Sequence, residues 1–184
     1  MSTAAVSLSD VEARWAYSEI VDSNVAHRYG SDCRVESLRA KRRADVSFTH
    51  PTSDERCSLK LMCACVRAPL VAFLRGIESF EVVALTKMQL SALHVPPAVS
   101  QTNGLITFER YLDTPSSDPG DARNIVATPK GYRSPDHPMT VGRRSEKSVL
   151  VDGYHRAVAF WKYAPAESVI PAYCPRPRCI GVST

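Results

Sequence analysis

The sequence predicts an α/β fold of the α+β kind, a small mixed sheet with flanking helices, and two stretches carry that expectation. In the first, Ser148 to Lys162 (SVLVDGYHRAVAFWK), the apolar run Val149-Leu150-Val151 suits a strand buried on both faces. Asp152-Gly153 ends it, and residues 154–163 then read as a helix. Tyr154, Val158 and Trp161 fall at i, i+4 and i+7, an apolar stripe that can pack on a sheet, while His155, Ala159 and Lys162 lie on another face. In the second stretch, Glu81 to Leu85 reads as a strand. Met88, Leu90 and Leu93 then belong to a short helix that Pro96-Pro97 ends.

From the N-terminus, residues 7–22 (SLSDVEARWAYSEIVD) predict a helix, capped by Ser9 or Asp10, with Glu12 in its first turn and Val11, Trp15 and Ile20 on its buried side. Residues 23–43 are polar and mixed and predict no element. Within them Arg39, Lys41, Arg42 and Arg43 form the densest basic cluster, which is either a solvated face or a DNA-binding contact to the phosphate backbone. Ala44 to His50 alternates apolar and polar residues, the period of a half-buried strand. Pro51 to Arg56 reads as a turn, and Ser58 to Val66 can pair back as the second strand of a hairpin. A helix over 58–66 is the alternative, because Leu, Met and Ala favour one. Pro69 to Gly76 predicts a short helix, with proline in its first turn and glycine after its last.

Residues 100–137 read as a long irregular region, rich in turn signals (QTNG, TPSSDPGD, RSPDHP). It carries Glu109, Asp113, Asp118, Asp121, Lys130 and Arg133. Such a loop either supplies a carboxylate for a metal or a general base, or is a surface flap without chemistry. Residues 175–184 read as extended, with Arg176 and Arg178 exposed.

A chain of 184 residues makes one domain, or one domain with an appendage. The expected division is an N-terminal α/β extension over 1–79 and a core over 80–184, with 100–137 as an inserted loop. The net charge of +4 permits contact with nucleic acid or an acidic partner without establishing it. No apolar run approaches the length of a membrane span, and the first residues lack the basic-then-apolar pattern of a secretory signal, so a cytoplasmic location is expected. In that compartment the six cysteines read as reduced thiols. Cys63-Ala-Cys65 and the Cys174, Cys179 pair lack the C-x2-C spacing of a zinc site, and Cys63 and Cys65 read as small buried hydrophobes. The chain contains no Walker A loop, no G-x-G-x-x-G and no nucleophile elbow.

The chemistry concentrates at Asp152 to Arg156. A strand, a tight glycine turn and a helix place His155 and Arg156 in the first helical turn, where backbone N–H groups and the positive end of the helix dipole gather. A cation there gains nothing from the dipole. It makes sense if an anion lies between it and the amides, and phosphate is the obvious candidate. The competing reading is that His155 and Arg156 are surface residues after a sharp turn. In the phosphate reading Gly153 admits the anion close to the backbone, Tyr154 lines the site, Arg156 binds phosphate oxygens and His155 donates to the same anion or handles a proton. Asp152 then holds Mg2+ with the phosphates or orients a water; otherwise it is a turn residue.

VLVDGYHRAVAFW resembles the signature of the ParB/sulfiredoxin superfamily, in which a strand, a G-x-x-R or G-C-H-R turn and a helix bind nucleotide phosphates. The matching residues are Gly153, Tyr154, His155 and Arg156. Ile170 to Arg176 (IPAYCPR) is similar to that superfamily's closing strand, and Pro138 to Val141 to its partner strand. The likeness covers roughly residues 136–176, extended more weakly by Phe80 to Leu85. It implies ATP as the ligand. Sulfiredoxin chemistry is excluded, because Tyr154 stands where those enzymes need a thiolate, and a phenol cannot replace it at neutral pH.

The chromosome-partition members carry a second arginine in the turn and a helix-turn-helix domain after it. This chain is expected to lack that domain. Its size and its D-G-x-H-R turn are similar to those of standalone ParB-like cores of conjugative plasmids, among them the fertility-inhibition factors of the oncogenic-suppression type. That resemblance implies ATP hydrolysis, DNase activity on transferred DNA, and a partner in a bacterial conjugation or type IV secretion system, cytoplasmic or peripheral at the inner membrane. It makes Asp152, His155 and Arg156 the candidate catalytic residues. Two other functions stay open. One is a small-molecule kinase of the free-serine type, with Glu109 or Asp113 as base. The other is a catalytically silent protein-binding module.

Overall fold

A computed structural model of the chain describes residues 5–22, 25–44, 48, 51–125 and 138–176. The chain divides into two compact units, one from Val6 to Ala72 and one from Phe73 onward. The architecture is mixed α/β, with a mixed sheet flanked by helices. No single helix among the described residues is long and apolar enough to cross a membrane.

The first unit is helical beyond what the sequence suggests. After a two-residue strand β1 (Val6–Ser7), helix α1 (Leu8–Glu19) lies within the expected 7–22 range, with its cap two or three residues earlier than expected. Ser7, and neither Ser9 nor Asp10, is the cap, its hydroxyl accepting from the Asp10 N–H at 3.1 Å. Val11, Trp15 and Ile20 are buried as the pattern requires. Tyr29, in a 3-10 turn (Ala26–Tyr29), donates to the Glu19 carboxylate at 2.6 Å. Helix α2 (Cys33–Ala44) occupies a stretch that predicts no element. Its apolar stripe is only Val35 and Leu38, too narrow to stand out, and Asp32 caps it by accepting from the Val35 N–H at 2.9 Å.

The expected hairpin gives way to helix α3 (Ser53–Val66). Thr52 accepts from the Glu55 N–H at 3.3 Å, and the Glu55 carboxylate accepts from the Thr52 N–H at 2.8 Å. This capping box converts the predicted turn into a helix start, and the Leu- and Met-rich run then follows its helical preference. Of the predicted first strand, Ala44 ends α2; residues 45–47, 49 and 50 lie outside the described residues. Helix α3 packs along α1 and buries Leu59 and Cys63. Cys65, expected to be buried, is exposed. A short helix α4 (Ala68–Val71), with Pro69 in its first turn, closes the unit.

A 3-10 turn (Ala72–Leu74) crosses into the second unit, which continues with strand β2 (Ser79–Thr86) and helix α5 (Lys87–Ala92). A second capping box, Thr86 with Gln89, starts α5. Strand β3 (His94–Val95) and helix α6 (Pro97–Ser100) follow. The region from 100 to 137 is less irregular than its composition suggests. It contains strand β4 (Ile106–Thr107), helix α7 (Phe108–Asp113) capped by Thr107, and helix α8 (Ala122–Ile125). Phe108 and Tyr111, three apart on α7, are fully buried and order this segment. Residues 126–137, including Lys130 and Arg133, lie outside the described residues.

Strands β5 (Met139–Arg144) and β6 (Lys147–Asp152), helix α9 (Tyr154–Tyr163) and strand β7 (Val169–Pro175) complete the unit. Its strands lie in the order β2-β7-β5-β6-β3-β4. β7 is antiparallel to β2 and parallel to β5, β5 and β6 form an antiparallel hairpin, and β3 is parallel to β6. Val149, Leu150 and Val151 are wholly buried in the middle of this sheet. Helix α9 lays Ala157, Val158, Ala159 and Phe160 into the core against Met139, Val141, Leu150 and Ile170. Lys87 secures its far end, the ammonium donating to the carbonyls of Trp161 at 2.8 Å and Ala164 at 2.6 Å. A cation at the C-terminal end of a helix complements its dipole.

Candidate functional site

The β6-α9 junction forms as the sequence requires. The extended Asp152 is followed by Gly153 at φ 95°, ψ 25°, the left-handed conformation in which a side chain is strained. Space gives a second reason for glycine. A Cβ there would stand 2.8 Å from Met139 Cγ and 3.0 Å from an Arg156 guanidinium nitrogen. The Gly153 carbonyl accepts the first intrahelical bond, from the Ala157 N–H at 2.8 Å. Tyr154, His155 and Arg156 therefore occupy the first turn, at the positive end of the α9 dipole.

Each predicted residue has a distinct place there. Arg156 is half-buried and donates through one guanidinium nitrogen to Asp152 Oδ2 at 2.8 Å. That bond closes over Gly153, so Asp152, Gly153 and Arg156 form one constellation. His155 is exposed on the same turn. Tyr154 is turned toward the core and its hydroxyl donates to the Leu150 carbonyl on β6. It is the anchor of the first turn on the sheet. Opposite Asp152 across the hairpin stands the buried Thr140, where the β5-β6 register shifts by a bulge. None of these residues lines the cleft of about 450 Å3 at the other end of β6.

The residues present do not build a metal site of their own. Among the described residues no group of three or more His, Cys, Asp or Glu side chains could hold an ion. Asp152 is committed to Arg156. A magnesium ion at this junction would have to arrive with the phosphates that ligate it.

The basic cluster of the first unit has structural work. Arg39 is only 8% exposed and donates to the carbonyls of Ile20 at 2.9 Å and Ala26 at 2.6 Å and to the Glu36 carboxylate, pinning α2 to the end of α1. Lys41 pairs with Glu55 at 2.6 Å, the Arg42 guanidinium lies 5.7 Å from the Tyr17 ring, and Arg43 is exposed. The four do not form one outward-facing patch.

The acidic residues of 100–125 divide similarly. Glu109, Asp113 and Asp118 are exposed, whereas Asp121 is buried. Asp121 accepts from Arg123 Nε and Nη2, both at 2.7 Å, and from the Tyr111 hydroxyl at 3.0 Å. Burial raises its carboxyl pKa, but the bonds from Arg123 and Tyr111 outweigh that and hold it down at about 2. Arg123 also donates to the Tyr111 carbonyl at 2.9 Å and stacks on that ring at 4.2 Å. This knot ties the loop after α7 to its helix. An Asp two residues before an Arg was its only trace in the sequence.

No protein-family model matches this chain, and neither the curated proteins nor the solved structures hold a significant match to it.

Proposed function

We propose that the β6-α9 junction binds the phosphate groups of a nucleotide, with ATP as the ligand implied by the ParB/sulfiredoxin resemblance. One observation carries the reading: Gly153, left-handed and with no room for a Cβ, joins a buried central strand to the helix whose first turn bears His155 and Arg156. The electropositive end of α9 and the guanidinium both favour an anion at that point. Arg156 is already oriented by Asp152, so an incoming phosphate meets a cation that need not be ordered first. His155, exposed on the same turn, is the group placed to donate to the phosphate or to carry a proton.

In the wider reading the chain acts on DNA. It is a plasmid fertility-inhibition factor that hydrolyses ATP, cuts DNA without sequence preference, and blocks transfer through a conjugation or type IV secretion system in the bacterial cytoplasm. The D-G-Y-H-R turn and the basic excess support it. A kinase would need a carboxylate base beside the phosphates. The candidate bases for it, Glu109 and Asp113, are exposed on α7, and that reading is the alternative.

Titration calorimetry of the full chain with a non-hydrolysable ATP analogue, with and without Mg2+, tests the proposal. Binding that Arg156→Ala weakens is the expected result; a folded chain that takes up no nucleotide overturns it.

A further inference from the structure

The cleft at the other end of β6 differs in chemistry from the junction. It has a volume of about 450 Å3, and its wall includes Asn103, Gly104 and Leu105 on one side and Arg144, Glu146 and Lys147 on the other. The latter three belong to the tip of the β5-β6 hairpin, which turns through Ser145 at a left-handed φ of 52°. Arg144 and Lys147 are direct cross-strand partners. Like charges placed directly opposite each other repel and destabilise a hairpin. Among the described residues neither side chain has a hydrogen-bond or ion-pair partner, although Glu146 stands between them in sequence. Arg143, one residue back and equally exposed, projects from the opposite face of the strand. The hairpin therefore presents cations on both faces, three of them against one carboxylate, at the mouth of a cleft.

An arrangement that costs stability and satisfies no internal bond is explained if a polyanion supplies the missing charge. We infer that the β5-β6 hairpin, through Arg144 and Lys147 with Arg143 in support, is the contact for the phosphate backbone of a single-stranded nucleic acid, and that the Arg39–Arg43 cluster is not. Arg144 and Lys147 line an open cleft that Pro97 and Leu105 also line, and Arg143 lies on the other face of the hairpin, which suits a phosphate chain passing over the tip more than a single small anion. The choice of nucleic acid rests on the DNA part of the proposed function. The site itself is separate from the junction, since β6 runs from Lys147 to Asp152, about 17 Å of strand.

The test is fluorescence anisotropy of a labelled oligothymidylate with the parent chain, Arg144→Gln/Lys147→Gln and Arg43→Gln, over a range of salt. Removing two phosphate contacts should weaken binding about twentyfold at roughly 0.1 M salt and make the log-log salt slope shallower by about 1.4. Arg43→Gln should bind the oligonucleotide as the parent does. The hairpin variant should fold normally, because it loses only a repulsion, and should keep its affinity for the ATP analogue. Parent-like DNA binding by the hairpin variant overturns the inference and leaves the nucleotide site standing. A hairpin variant that loses mononucleotide affinity while keeping DNA affinity assigns the cleft to a free nucleotide and also overturns it. A parent chain that binds no DNA removes both this inference and the DNA part of the proposed function.

Discussion

Asp152 and Arg156 stand on either side of Gly153, the last residue of a buried strand and the third residue of a helix, joined by a 2.8 Å bond. The carboxylate sets the direction of the guanidinium and also offsets part of its charge. If the junction binds phosphate, Arg156→Ala should cost about 1.5–3 kcal/mol of nucleotide binding, the range for a bond to a charged group. Calorimetry on the folded variant measures this, and an unchanged affinity would remove Arg156 from the site.

Gly153→Ala should destabilise the second unit by about 1–3 kcal/mol, from left-handed strain and from the Cβ that would meet Met139 at 2.8 Å. Adding Met139→Ala removes the closest contact, that to Met139 Cγ, and leaves the backbone part with the contacts to Arg156 at 3.0 Å and to the Cβ of residue 139 at 3.1 Å. In urea unfolding, Gly153→Ala should therefore cost less in the Met139→Ala background than in the parent. Equal costs would show that only the φ angle matters.

Tyr154→Phe deletes the hydroxyl that binds the Leu150 carbonyl and leaves the ring in the core. The expected loss is about 0.5–1.5 kcal/mol of stability with nucleotide affinity retained. A large fall in turnover without loss of fold would give the phenol a chemical role instead.

Arg39→Ala should lower the melting temperature by removing donors to two backbone carbonyls and to Glu36, at a cost of about 3 kcal/mol. Its DNA affinity should match the parent's, measured below the new transition. A DNA-binding defect in folded protein would restore this cluster as an interface.

Two carboxyl groups should give opposite pH responses. Glu12 is only 4% exposed, and burial raises its carboxyl pKa, with Lys60 opposing. Its contribution is fully present at acid pH and is lost as pH rises through the raised folded value, so Glu12→Gln should stabilise the chain at pH 7, by about 1 kcal/mol, and have no effect near pH 4. Asp121, held at about 2, contributes above its usual value of 3.8 and loses that contribution as pH falls toward 2. Asp121→Asn should therefore cost about 3 kcal/mol at pH 7 and progressively less in acid. Guanidinium titrations at several pH values check both signs.

What the sequence shows of this fold depends on how local the deciding contacts are. The junction was legible because a β-rich run, one glycine and a helical stripe each act within a few residues, and α9 spans Tyr154–Tyr163 as the pattern requires. Helix α3 was open to the hairpin reading because apolar runs suit both structures; the T-x-x-E box at Thr52–Glu55 decides it and is itself in the sequence. Helix α2 was illegible because its third buried residue is Arg39, whose burial depends on carbonyls 13 and 19 residues away. For the same reason the densest run of cations in the sequence does not fold into one exposed patch. Glu36, three residues before Arg39, hints that the arginine is engaged, whereas Arg144 and Lys147 flank a two-residue turn and face each other.

Lys87 and Tyr154 hold α9 at its two ends, one closing its last carbonyls from 74 and 77 residues away and the other bonding the first turn to β6. The helix is consequently bonded at both of its ends. If phosphate binds at Gly153, it meets a first turn already bonded to the sheet. Association should then proceed at the rate of productive encounter, and discrimination among nucleotides should appear in how long each one stays.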